Sequence, residues 1–139
     1  MAKRKILLVD DEPSVLKLVT RRLQVNNYEV VTATDGVQAL DIVAKIKPDL
    51  IISDIMMPNM DGYTFIRKLR EQHGLSHIPV IILTAKDKLH DLFLFEGIKD
   101  YDYIVKPFES QELVQKINQL LARVDAHLGP GSPPPATSA

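Results

Sequence analysis

Five short runs of apolar residues alternate with segments of helical spacing, and this alternation is the strongest constraint on the fold. The runs are rich in Ile, Val and Leu and almost unbroken, which is typical of strands that are buried on both faces. Five strand–helix repeats favour an α/β fold, a parallel sheet with helices on both faces. The runs are KILLV (5–9), EVVTA (29–33), LIIS (50–53), PVIIL (79–83) and YIV (103–105).

The segments between the runs carry helix start signals. Asp35 is placed to cap the second helix and Ser110 to cap the fifth. We predict a third helix over about 64–72 and a fourth that begins near Asp87. The fourth contains four consecutive apolar residues, 92–95, so either some of them form an exposed partner surface or the whole helix is buried.

Composition and charge narrow the class of protein. With 139 residues, 45% hydrophobic and 25% charged, the chain has the composition of one globular domain. A net charge of −1 gives no general attraction to nucleic acid or to an anionic membrane, so neither is an expected partner. The chain has no cysteine, which excludes disulfides and thiolate metal sites.

The two ends of the chain also carry information. The start, MAKRKILLVDD, has too few apolar residues for an export signal, and no run is long enough to span a bilayer. We therefore expect a cytoplasmic protein. The end, GPGSPPPATSA, has no periodicity. We expect an ordered domain over 1–124 and a flexible tail or linker over 125–139.

Charged side chains follow three of the five runs and Thr84 follows a fourth, whereas the second run, followed by Thr34, contributes no charge. Parallel strands joined by right-handed crossovers end at one edge of the sheet, where open α/β sheets bind ligands, so these side chains should be neighbours. Carboxylates crowded in this way are tolerable when a hard cation such as Mg²⁺ lies among them. The residues are Asp10 and Asp11 after the first run, Asp54 after the third, Thr84 after the fourth and Lys106 after the fifth.

This constellation predicts phosphoryl transfer to an aspartate. A carboxylate can attack a phosphoryl group and form an aspartyl phosphate. The transfer needs positioning and neutralisation of charge on the phosphoryl oxygens, which Mg²⁺, Lys106 and the Thr84 hydroxyl would supply. Asp54 is the expected nucleophile because its strand is central and the other two acids flank it.

Four motifs resemble those of the receiver domain of bacterial two-component response regulators. They are VDDE (9–12), SDIMMPNMDG (53–62), ILTA (82–85) and YIVKPF (103–108), and the resemblance covers residues 5 to about 124. It implies a flavodoxin-like, doubly wound sheet of five parallel strands in the order 2-1-3-4-5. It also implies a phosphorelay protein that accepts a phosphoryl group from a sensor histidine kinase or a histidine phosphotransfer protein.

The resemblance assigns a role to each site residue. Asp54 is the phospho-acceptor, contacted through its phosphoryl group by Thr84 and Lys106. The Mg²⁺ ligands are Asp10, Asp11, Asp54 and the backbone carbonyl of Met56, with Asp11 the more direct ligand of the acidic pair. The Lys106–Pro107 bond is expected to be cis.

The resemblance further implies a signalling module and not an enzyme acting on other molecules. Phosphorylation would switch the domain through Thr84 and Tyr103, and slow hydrolysis would reset it. The face formed by the fourth helix, the fifth strand and the fifth helix would bind a second copy or an output partner. We expect the side chains of Met56 and Lys86 to lie near the path of the attacking water.

Two other functions are weaker alternatives to a phospho-acceptor. A Mg²⁺-dependent phosphohydrolase usually has a D-x-D motif after its first strand, a spacing that Asp10 and Asp11 lack. A binding module that keeps only the fold would not need all five site residues.

The family usually has a Gly-Ala pair where this chain has Lys99 and Asp100, so either the fourth helix ends early at Gly97 or a non-glycine residue occupies the turn.

Overall fold

Each apolar run forms a strand of one parallel sheet. The computed structural model describes residues 3–72, 74–75, 77–98 and 100–128. The strand order is β2-β1-β3-β4-β5, which confirms the predicted doubly wound topology. The strands are β1 (Lys5–Val9), β2 (Glu29–Ala33), β3 (Leu50–Asp54), β4 (Val80–Ala85) and β5 (Tyr101–Lys106).

Helices connect successive strands across the two faces of the sheet, and a further helix follows β5. They are α1 (Pro13–Val25), α2 (Gly36–Ile46), α3 (Gly62–Glu71), a 3₁₀ helix (Lys86–Phe95) and α4 (Ser110–Leu128). The predicted cap of α2 is confirmed, because Asp35 Oδ1 accepts a hydrogen bond of 2.9 Å from the backbone N–H of Gln38. The predicted cap of the last helix is wrong by one position. Ser110 is already helical, and the carbonyl of Glu109 accepts the amide hydrogen bonds of Glu112 and Leu113.

Two apolar cores lie on opposite faces of the sheet. Alternate residues of β1 point to opposite sides, so that Leu7 and Val9 enter one core while Ile6 and Leu8 enter the other. The first core is closed mainly by α2 and α3, the second by α1 and α4. All five residues of β3 are buried, which makes it the best-covered support for a side chain at its carboxyl end.

The fourth connection differs from the predicted α-helix. Lys86–Phe95 is a 3₁₀ helix, in which the stretch 92–95 is divided: Phe95 is fully buried, whereas Phe93 is 66% exposed. Gly97 follows the helix with a φ of 87°, and Asp100 has a φ of 56° just before β5. Both proposed turn solutions are therefore present, an early glycine stop and a non-glycine residue in the left-handed region.

The last helix continues to Leu128, so residues 125–128, predicted to belong to the tail, are helical. The rest of the predicted tail, 129–139, lies outside the described residues, as does Lys99. Among the helices that the structure describes, none has the length and apolar character required to cross a membrane.

Candidate functional site

The carboxyl ends of β1, β3 and β5 bring two buried aspartates and a lysine into contact. The ammonium of Lys106 lies 2.9 Å from Asp10 Oδ2 and 3.0 Å from Asp54 Oδ2. It also lies 3.2 Å from Glu12 Oε1. Asp10 is fully buried and Asp54 is 8% exposed. The predicted convergence of charged side chains at this edge is thus present in the geometry.

The turn after β1 holds the carboxylate of Asp10 in place. The backbone N–H of Asp10 donates to the carbonyl of Ala33 at the end of β2. The backbone N–H of Glu12 donates to Asp10 Oδ1 at 2.9 Å, so both carboxylate oxygens of Asp10 have partners. Glu12 precedes α1, and Pro13 occupies the first turn, where its missing N–H costs nothing.

The turn after β3 depends on a glycine. The backbone N–H of Gly62 donates to the carbonyl of Ile55 at 2.7 Å, which folds the start of α3 back against the end of the strand. A Cβ at Gly62 would lie only 2.1 Å from the carbonyl oxygen of Asp54. A glycine is therefore required for this close approach. Asp61 caps α3 by accepting a hydrogen bond from the N–H of Thr64.

Burial and ion pairing act in opposite directions on the acceptor carboxylate. Burial raises the pKa of Asp54 above its ordinary value, while the hydrogen bond and charge of Lys106 oppose that rise. Burial lowers the pKa of Lys106, but its hydrogen bonds to Asp10 and Asp54 outweigh this effect and raise the pKa above the usual lysine value. The lysine is therefore always charged at neutral pH.

Carboxylate oxygens of three residues are close enough to hold one metal ion. One oxygen each from Asp10, Glu12 and Asp54 lie within 4.8 Å of one another. This all-oxygen, anionic donor set fits a hard divalent cation. The sequence analysis named Asp11 as the more direct ligand of the acidic pair, which stays a prediction, and gave Glu12 no role. In the structure Asp11 is exposed and lines the cavity beside the cluster.

A cavity of about 270 Å³ opens above Asp54. Thr84 is buried in its wall, and its hydroxyl donates to the carbonyl of Ala85 at 3.3 Å. Met56 and Lys86 were expected near the path of the attacking water. Met56 does line the cavity, but Lys86 does not, and Lys88 lines it instead. Its lining is Asp11, Glu12, Asp54, Ile55, Met56, Thr84, Ala85, Lys88 and Lys106.

Tyr103 lies on β5, outside the cavity lining. Its side chain is 40% exposed, and the ammonium of Lys116 on α4 lies 5.7 Å from the centre of its ring. The two residues expected to act as a switch are therefore in different surroundings, with Thr84 buried at the site and Tyr103 turned outward.

The peptide bond between Lys106 and Pro107 is cis, as the resemblance implies.

Comparison with known proteins agrees with this geometry. The family model described as the response regulator receiver domain matches residues 6–118. A probable transcriptional regulator of Porphyridium aerugineum is 41% identical over 125 residues, which are 90% of this chain and 51% of that protein. Response regulator MprA of a Mycobacterium species is 38% identical over 129 residues, 93% of this chain and 55% of that protein. The chain spans about half the length of the curated relatives it matches.

Solved structures share the fold over most of the chain. A response regulator from Chloroflexus aurantiacus has a TM-score of 0.81 and 34% identity, covering 87% of this chain and 99% of its own. The receiver domain of sensor histidine kinase PA1611 from Pseudomonas aeruginosa has a TM-score of 0.79 and 32% identity, with the same two coverages. The latter structure has a magnesium ion coordinated in its active-site cleft.

Proposed function

The chain belongs to the response regulator receiver-domain family of two-component signalling, and on that premise we propose that Asp54 accepts a phosphoryl group. The donor would be a phosphohistidine on a sensor histidine kinase or on a histidine phosphotransfer protein. The observation that carries the proposal is the placement of Lys106 between two buried carboxylates, 2.9 Å from Asp10 and 3.0 Å from Asp54. A lysine so placed compensates a cluster that would otherwise repel itself.

Each step of the transfer has a residue to perform it. A carboxylate oxygen of Asp54 attacks phosphorus, the new O–P bond forms, and the P–N bond of the phosphohistidine breaks with its electron pair left on the imidazole nitrogen. Lys106 keeps Asp54 ionised and neutralises charge on the phosphoryl oxygens. The Thr84 hydroxyl, which now bonds a backbone carbonyl, turns to donate to a phosphoryl oxygen.

Hydrolysis, the second half of the cycle, restores the free carboxylate. Water attacks phosphorus, the P–O bond to Asp54 breaks with its electron pair returned to the carboxylate, and inorganic phosphate leaves with both protons of the water, one of which it can then release to solvent. Each molecule modifies only itself, so we propose a signalling phospho-acceptor and not an enzyme with a separate substrate. Met56 occupies the position two residues after Asp54, where a phosphohydrolase of this kind would need an acid–base carboxylate.

We propose Mg²⁺ as the required ion. Asp10, Glu12 and Asp54 offer clustered oxygens, and Asp11 with the backbone carbonyl of Met56 stand at the same cavity as further ligands. When bound, Mg²⁺ supplies charge neutralisation and alignment of the phosphoryl oxygens. Lys106 would then be released from part of its carboxylate contacts and become free to meet the phosphoryl group.

The output would use the face built from the 3₁₀ helix, β5 and α4. Once Thr84 has moved toward the phosphoryl group, the ring of Tyr103 can turn inward and leave Lys116. Phe93 and Tyr103 are both exposed on this side and would contact an output partner or a second copy. The cytoplasmic location and the lack of direct nucleic acid binding stay predictions.

The proposal is tested by following the intact mass of the protein in a mixture of Mg²⁺ and acetyl phosphate. We expect one phosphoryl adduct on the parent chain, none on Asp54→Ala and none after chelation of the metal. Asp41→Asn is the matched control, since Asp41 is an exposed aspartate paired with Lys45 on α2, and it should label like the parent. An unlabelled parent protein would favour a binding module that keeps only the fold.

A further inference from the structure

A second lysine, Lys88, lines the cavity above Asp54 together with Lys106. Lys88 lies on the first turn of the 3₁₀ helix, four residues after Thr84, and is partly buried. Within the described ranges its ammonium makes neither a hydrogen bond nor an ion pair, although carboxylates line the same cavity. Among the residues that the structure describes, Lys88 is therefore a cation without a partner beside the acceptor site.

Lys106 cannot serve an incoming phosphoryl group without giving up a contact. An ammonium has three N–H donors, and those of Lys106 are directed at Asp10, Glu12 and Asp54. In the metal-free cavity an entering anionic group thus meets Lys106, whose three donors are engaged, and Lys88, for which the described residues show no partner; with Mg²⁺ bound, Lys106 still keeps part of its carboxylate contacts. Lys88 is the better first contact.

The charge balance of the cavity points the same way. Four carboxylates, those of Asp10, Asp11, Glu12 and Asp54, surround the site and carry four negative charges. Lys106 and one divalent cation together compensate three of them. A phosphoryl group brings about 1.5 to 2 further negative charges. Without Lys88 the approach of a phosphodonor is opposed by a net negative site, and Lys88 reduces that opposition.

We propose that Lys88 binds the phosphoryl oxygens of the phosphodonor as it enters and so determines how tightly the donor is held before transfer. The inference rests on the proposed function, because it concerns the same cavity. It adds a donor-binding residue outside the set that the sequence motifs identify. The role belongs to binding, so removal of Lys88 raises the donor concentration needed and leaves the maximal rate nearly unchanged.

The test measures the initial rate of labelling as a function of acetyl phosphate concentration at saturating Mg²⁺. For Lys88→Gln we expect the half-saturating concentration to rise about fivefold, as for loss of one partly exposed charge contact, with a maximal rate within about twofold. Lys88→Arg keeps the charge and should restore most of the donor binding. Lys86→Gln is the matched control, because Lys86 is exposed on the same helix and does not line the cavity.

The dependence of donor binding on ionic strength is a second measurement, and it would be the same for both proteins if Lys88 only supported the fold. Raising the ionic strength should weaken donor binding to the parent protein more steeply than to Lys88→Gln, because one screened contact is already lost. Circular dichroism should be the same for both proteins, and Mg²⁺ is kept saturating for each, because loss of a positive charge beside the carboxylates should if anything strengthen Mg²⁺ binding.

Each outcome decides the matter. If the parent protein is labelled and Lys88→Gln follows the same concentration curve, the inference is overturned while the proposed function stands. Equal shifts for Lys86→Gln and Lys88→Gln also overturn it, since the effect is then one of general charge. If the parent protein is never labelled, the proposed function fails and this inference fails with it.

Discussion

Replacement of Lys106 by methionine is the most direct test of the charge arrangement at the sheet edge. Methionine keeps an apolar stem of similar length and removes only the ammonium. Asp10, whose side chain is fully buried, and Asp54, whose side chain is 12% exposed, then lose their cationic partner in the metal-free protein. We expect a marked loss of stability in the absence of divalent cations.

The size of the loss follows from the burial of the three partners. The contact with Glu12, whose side chain is 57% exposed, contributes about 0–1 kcal/mol. Removal of one partner from a buried ion pair costs about 3–5 kcal/mol, because the remaining charge stays buried. The cavity admits solvent to Asp54, so the lower end applies, and we expect a loss of about 3 kcal/mol in the free energy of unfolding.

The assay is urea unfolding followed by circular dichroism in a buffer with a chelator, where an unchanged slope shows that only stability has changed. Lys116→Met is the matched control. Lys116 pairs with Asp102 at 3.4 Å and both side chains are more than a quarter exposed, so its loss should cost less than about 1 kcal/mol.

Magnesium adds a second measurement on the same variant. The ion should stabilise Lys106→Met more than the parent protein, because in the parent it must compete with the ammonium for the same carboxylates. Equal losses for the Lys106 and Lys116 variants would refute the buried-pair reasoning. An equal magnesium effect on parent and variant would refute the shared-carboxylate part of it.

Three other residues give independent predictions. Gly62→Ala should lower the free energy of unfolding by about 1–3 kcal/mol in urea titrations, because its Cβ would meet the Asp54 carbonyl at 2.1 Å; unchanged stability would contradict this. The pKa of Asp35 is lowered mainly by the hydrogen bond from the backbone of Gln38 and secondly by the one from the Asn59 side chain. The ionised Asp35 therefore stabilises the fold at neutral pH, and this stabilisation is lost as the pH falls through the lowered pKa. Asp35→Asn should therefore lose less stability than the parent between about pH 5 and pH 2, measured by urea midpoints, and parallel curves would contradict it. Tyr103→Ala should leave acetyl phosphate labelling intact while it reduces any phosphorylation-dependent self-association measured by sedimentation, and failure to label would count against a purely switching role.

The sheet and its charged edge are predictable from sequence because their signals are local. β1 contains the unbroken apolar stretch ILLV and β3 the stretch LII, and the charged residue that follows each run is fixed at the strand end by parallel pairing. Asp54, placed one residue beyond the predicted third run, closes β3 itself. The common edge then follows from right-handed crossovers alone.

The errors lie where a local pattern has more than one solution. The stretch 92–95 has no 3.6-residue period, so sequence cannot distinguish an α-helix from the 3₁₀ helix that is present. The same uncertainty explains why Lys88 and not Lys86 lines the cavity, since the two helix types rotate side chains differently. Glu12 was given no role because Asp10 and Asp11 already satisfied the expected acidic pair, although it completes a run of three acids and its carboxylate lies near those of Asp10 and Asp54.

The site joins positions that are far apart along the chain. Lys106 lies 96 residues after Asp10 and 52 after Asp54. During synthesis the ribosome releases both aspartates long before it releases the lysine that lies between them. Under the proposed function, a nascent chain that ends before Lys106 has the nucleophile without its cation and cannot yet carry the signal.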